Sequence, residues 1–124
     1  MAAPLEKTVQ RNILRKLNSL PGCRARSQTA VGPYNQAGEP DIDGVLQGRA
    51  VKVEVKRSVT RNAAGLHSHS RVAYSSRGAT DLQAKTLMEW REAGAVTGVV
   101  VTVEEMLELL DWAGWDRRKE RWDG

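Results

Sequence analysis

The chain has 124 residues, 19 Lys and Arg against 15 Asp and Glu for a formal charge of +4, four tryptophans, no phenylalanine and a single cysteine. That length suits one domain, residues 1–124, and excludes a second core. With Cys23 alone there is no internal disulfide, and with neither a secretory hydrophobic segment nor an apolar run of roughly 20 residues, the expected setting is soluble, intracellular and cytoplasmic, with no membrane partner.

Charge is unevenly spread. Residues 1–79 hold 13 Lys and Arg against five acids, whereas residues 80–124 hold six against ten. A basic majority beside candidate catalytic acids points to a polyanionic partner, because phosphate neutralisation supplies most nonspecific nucleic-acid affinity.

Leu5 to Leu20 has the spacing of an amphipathic helix, with Leu5, Val9, Ile13, Leu17 and Leu20 on one arc. Glu6 falls on that same arc and is therefore expected to point inward, unless its first-turn position keeps it solvated against the helix dipole. Pro21-Gly22 stops the helix, and Cys23 to Thr29 alternates like a partly exposed strand, with Cys23 expected as a small buried side chain. Val31 to Gly38 reads as a loop carrying Tyr34, and Pro40 suits the first position of the next strand.

Gln47-Gly48 is a two-residue turn between strands Ile42–Leu46 and Arg49–Glu54. Pairing Leu46 with Arg49 then sets Asp43 against Lys52, Ile42 against Val53 and Asp41 against Glu54. Opposed Cβ atoms on such a ladder are roughly 4.5–5.5 Å apart, where two carboxylates repel unless a cation lies between them. Mg²⁺ takes oxygen ligands and commonly needs only one or two carboxylates from the protein. Lys56, two residues beyond Glu54 and so about 6.6 Å along the same face, reaches the same place. The plainer reading makes Asp41 and Glu54 ordinary hairpin polar residues and Asp43–Lys52 a surface ion pair.

Residues 57–79 form a long basic stretch without periodicity, and Arg57, Arg61, Arg71 and Arg77 in it are candidate phosphate contacts, joined by Lys85 on the following helix. His67-x-His69 lacks the further ligands of a zinc site, and Val72-Ala73-Tyr74 suggests a short strand or turn. Thr80 or Asp81 caps a second helix reaching Ala93 before Gly94, with Leu82, Thr86, Leu87, Trp90 and Ala93 on its apolar arc and Gln83 turned inward among them. Val96 to Val101 is a buried strand, and Thr102-x-x-Glu105 a capping box for a third helix to Ala113. The tryptophan-bearing tail, residues 114–124, is expected to fray or to pack on a partner subunit.

The predicted class is α/β, in the order helix, three strands, helix, strand, helix within residues 5–113, the sheet flanked by helices. That element order, with Pro40-Asp41, Glu54-Val55-Lys56, an inward Glu6 and an inward Gln83, resembles the PD-(D/E)XK nuclease superfamily, which implies a restriction-endonuclease-like αβββαβ core with a mixed central sheet. Within that superfamily the set is most similar to the VRR-NUC family over about residues 5–101. The stand-alone viral and bacterial members of that family resemble Holliday junction resolvases.

The resemblance implies a homodimeric, Mg²⁺- or Mn²⁺-dependent DNA endonuclease acting on branched or four-way DNA in repair or recombination. By the same resemblance Asp41, Glu54 and the Val55 carbonyl hold the metal, Lys56 is the catalytic lysine, Glu6 an accessory acid and Gln83 the second-helix glutamine. Thr80 stands where the family has serine, and the stretch from Lys56 to Gln83 is longer than a minimal member needs. The competing readings are a restriction-like or flap nuclease with the same centre, and a noncatalytic junction-binding module.

Overall fold

The computed structural model describes residues 6–28, 38–57 and 66–123. Within them run α1 (Glu6–Asn18), β1 (Cys23–Ser27), β2 (Ile42–Leu46), β3 (Arg49–Val55), α2 (Arg71–Ser76), α3 (Asp81–Glu92), β4 (Val96–Val100), α4 (Val103–Trp112), β5 (Trp115–Asp116) and β6 (Arg121–Trp122). The first four strands make one mixed sheet in the order β1-β2-β3-β4, antiparallel except for the parallel β3–β4 pair. Mixed α/β architecture with a helix-flanked sheet is thus as expected.

The β2–β3 register is the predicted one, from Leu46 opposite Arg49 to Ile42 opposite Val53. Its cause is local: Gln47 and Gly48 both have positive φ, 46° and 84°, the combination of a type I′ turn whose twist matches the hairpin. Gln47 is not a preferred residue there, and its amide holds the turn by donating to the carbonyls of Pro21 and Glu120, both at 2.9 Å.

Alternation along β3 sorts the sheet into two faces. Val51, Val53 and Val55 face the main core with Ile42, Leu46, Val96 and Val100, covered by Val9, Ile13 and Leu17 of α1 and Met106, Leu109 and Leu110 of α4. Gly98 is required for this packing, since a Cβ there would lie 2.7 Å from Leu109 Cδ2. Lys52, Glu54 and Lys56 take the other face, where a smaller cluster of Tyr74, Ala79, Ala84, Leu87 and Val99 joins α2 and α3 to β4. At β1, the edge of the sheet among the described residues, the Asn18 carboxamide pairs with both backbone groups of Ala25, accepting from its N–H at 2.9 Å and donating to its C=O at 3.0 Å.

Several expectations are corrected. Residues 71–76 are a short helix rather than a strand or turn, capped by Ser70 Oγ accepting from Ala73 N–H; six residues are too few to show a period. The arc of α3 is rotated: Ala84 and Leu87 are buried, whereas Leu82 and Ala93 are exposed. On α4, Thr102 caps as expected, but Glu105 does not reach back to it; its carboxylate accepts from Val101 N–H and from Arg77. Cys23 is half-buried.

Through Asp123 the tail does not fray but folds back on its own chain. β5 and β6 pair as a hairpin in which Trp115 is buried, Trp122 meets it edge-on and Trp122 Nε1 donates to Leu46 O at 2.7 Å. Indole burial combined with a satisfied N–H anchors this segment on the β2–β3 turn. Thr29, the loop from Val31 through Tyr34, and Arg61 lie outside the described residues.

Candidate active site

Asp41, just before β2, continues the hairpin register: its carboxylate accepts from Val55 N–H at 2.8 Å and its carbonyl from Gln28 N–H at 2.7 Å. Backbone donors on two neighbouring strands therefore fix the residue and turn its side chain toward Glu54. Buried Pro40 precedes it. Gly38 (φ +89°) lies so close to α3 that a Cβ would be 2.6 Å from Leu82 Cγ, which ties the approach to Asp41 to the first turn of the helix bearing Gln83. Sequence reasoning missed this contact; its one signal was a glycine just ahead of Pro40-Asp41.

Glu54, 2 % exposed, is the most deeply placed acid of the group. Its Oε1 accepts from Gln83 Nε2 at 3.0 Å, while its Oε2 is buried with no hydrogen-bond partner. Burial above all, then the hydrogen bond that its protonated form donates to Asp41, the charge repulsion of Asp41 and the charge of Glu6, push its carboxyl up from 4.5 to about 9; the Lys56 ammonium pulls the other way. Two close carboxylates with one orphaned oxygen form an electrostatic deficit that a shared proton or a cation removes.

Gln83 organises the rest. It closes a capping box with Thr80, whose hydroxyl accepts from Gln83 N–H while Gln83 Oε1 accepts from Thr80 N–H at 2.9 Å. A backbone N–H can only donate, so the amide oxygen must face it and the NH₂ must face Glu54. The same oxygen accepts from Lys56 Nζ at 3.2 Å. One glutamine thereby holds a carboxylate and an ammonium, and the Thr80-x-x-Gln83 spacing that starts the helix also sets the site. The Lys56 stem lies against Gly78, where a Cβ would sit 3.4 Å from Lys56 Cγ.

The structure brings Asp41, Glu54, Lys56 and Gln83 together and leaves other candidates apart. Glu6 is exposed at the first residue of α1 and so is not inward; its first-turn position keeps it solvated, and its charge alone is felt at Glu54. Arg77 is the clearest correction. It is 1 % exposed, donates to Val99 O at 2.8 Å and to Glu105 at 2.6 Å, and joins α2 to β4 and α4 instead of facing phosphate. Arg57, Arg71 and Lys85 are exposed. His67 stacks on Trp112 with ring centroids 4.2 Å apart, and His69 hydrogen-bonds Tyr74.

The neighbouring Asp43–Lys52 pair is no surface ion pair. Lys52 is buried, contacts Asp43 directly and lies 3.9 Å from the centroid of Trp90.

Among the described residues no group of three or more His, Cys, Asp and Glu forms a ready-made metal cage. Asp41 and Glu54 nevertheless fit a hard cation that keeps most of its water, and the orphaned Glu54 Oε2 is the atom such an ion would satisfy. No protein-family model, curated protein or solved structure matches the chain, so the functional reading rests on its own residues. No helix among the described residues is long and apolar enough to cross a membrane.

Proposed function

We propose that the protein is a divalent-metal-dependent DNA endonuclease, built on a restriction-endonuclease-like core and selective for branched DNA. The observation that supports it above the others is the juxtaposition of Asp41 and a buried Glu54 Oε2 that no protein donor reaches, beside a lysine held by Gln83. Asp41, Glu54 and the Val55 carbonyl would hold Mg²⁺ or Mn²⁺, which when bound supplies Lewis acidity at the scissile phosphate.

The chain's own groups have separable tasks. Asp41, anchored by Val55 N–H, gives a fixed carboxylate. Lys56 donates to Gln83 and, with three donors on its ammonium, keeps others for a water or a phosphate oxygen as negative charge develops. Gln83 positions both Glu54 and Lys56 without touching phosphorus itself. In the hydrolysis a water oxygen bonds phosphorus, one P–O ester bond breaks and the leaving oxygen gains a proton. A twofold homodimer would carry two such centres, which suits paired cuts at a symmetric branch.

The test is cleavage of labelled duplex, flap, splayed and four-way DNA with Mg²⁺, Mn²⁺ or EDTA. Cutting is expected with either metal and on branched substrates first. Asp41→Asn should lower it about a thousandfold or more, equivalent to the several kcal/mol a Lewis acid contributes, while leaving DNA binding at least as tight. A metal-loaded protein that binds each of these DNAs and cuts none would make it a binding module instead.

A further inference from the structure

The β1–β2 pairing places residues that the functional reading has not used. Arg24 lies opposite Val45 and Arg26 opposite Asp43, so both arginines belong to the face that carries Asp41 and Glu54. Helix α3 packs over β3 and β4 on that face, and α1 packs against the far side of the sheet. Among the described residues the β1–β2 half is thus left open as a groove of about 760 Å³, lined by Arg24, Arg26, Asp43 and Val45, with Asn18 at its outer rim.

Its charge is cationic once partners are assigned. Asp43, the groove's acid, is taken by the Lys52 ammonium and by Gln28 Nε2 at 2.9 Å. Arg26 stands 3.7 Å from Asp43 with its side chain 77 % exposed, a contact too solvated to hold it. Arg24 is exposed and makes no ion pair among the described residues. Gln28, the next same-face residue of this edge, bonds Asp41, so Arg26 and Arg24 stand about 7 and 13 Å back from the carboxylate pair at the strand rise.

We infer that this open half-face is the track along which the phosphodiester backbone of a DNA strand runs into the Asp41–Glu54 centre, with Arg24 and Arg26 as its phosphate contacts. The inference rests on the nuclease reading of that centre. An acidic peptide in the same groove would end against two more carboxylates. A phosphodiester ends where a cation is expected to sit between acid and phosphate.

Binding of labelled single-stranded and four-way DNA, measured by anisotropy in EDTA over a range of salt, separates the two ideas. The full-length Arg24→Gln/Arg26→Gln double variant should melt with the parent yet bind at least about tenfold more weakly, with a salt slope shallower by about 1.4–1.8, the value for two lost phosphate contacts. Arg118→Gln, on the exposed β5–β6 turn, should change neither. If the parent cuts DNA but the double variant keeps the parental affinity and slope, the track fails while the nuclease reading stands. If the parent binds but never cuts and the double variant loses binding, the track stands and the nuclease reading fails. A double variant that dissociates a dimer in sedimentation while binding DNA normally assigns the groove to a second copy of the chain and overturns the inference.

Discussion

Lys52 on β3 and Lys56 just past its end share one face four residues apart, and each has a carboxylate nearby, Asp43 of β2 for Lys52 and Glu54 of β3 for Lys56. Lys52 is closed in: Asp43 answers its charge, Trp90 covers its ammonium, and Asp43 is completed by Gln28. Lys56 has a neutral amide for its hydrogen bond and stands beside two acids, one of which keeps a buried oxygen without a donor. A single register has therefore produced one salt bridge that is satisfied and one cluster that is not. The first is what folding requires. The second is eased in the metal-free protein only by a proton that Glu54 retains, and acids perturbed in this way collect where a ligand is to bind.

Exchanging the fates of the two lysines is the sharpest way to break this comparison. Lys56→Ala should cut turnover about 10²–10⁴-fold, the range for a positioned proton-transfer or electrostatic group, while changing stability little. Single-turnover rates at saturating protein measure it, and an unchanged rate removes Lys56 from the reaction. Lys52→Met should do the reverse, costing about 2–3 kcal/mol in denaturant unfolding because it strands Asp43, with the folded fraction cutting at the parental rate. Equal stability losses in both variants would erase the distinction between the two pairs.

A smaller effect concerns protons. Burial and then Asp41 raise the Glu54 carboxyl to about 9 from 4.5, so the folded protein retains a proton that the unfolded chain releases. Stability from a group raised in this way is complete below pH 4.5 and is lost as pH climbs through about 9. Metal-free protein should accordingly show a falling Tm across that window, and Glu54→Gln should flatten the fall. Mg²⁺ must displace the proton, so its addition should release protons and should raise Tm more at the alkaline end. A Tm profile that Glu54→Gln leaves unchanged assigns the slope to other groups.

The hairpin and the centre were legible because they depend on short-range rules. A two-residue turn fixes the register, the register fixes which acids oppose, and the Thr80-x-x-Gln83 spacing starts a helix whatever lies around it. The misreadings have other causes. Arg77 looks like a solvent-facing cation until Val99 O and Glu105 close on it, and α2 is one short turn whose cap is Ser70. The first depends on contacts made far along the chain, and the second is too short for any periodicity to declare it. Arg24 and Arg26 fall between these cases: their alternation on β1 is local, but the register that sets Arg26 opposite Asp43 is fixed by strand pairing across a long connection and not by a two-residue turn.

Asn18 has a consequence for self-association. The outward rim of β1 is where another extended chain would zip on, and an exposed rim of this kind seeds edge-to-edge aggregation. Because the Asn18 amide engages the amide hydrogen and the carbonyl of Ala25 at once, an incoming chain meets a midpoint that is already bonded. Two copies of the protein should therefore meet through side-chain surfaces rather than by lengthening the sheet, and the helix that shields the main core also guards its border.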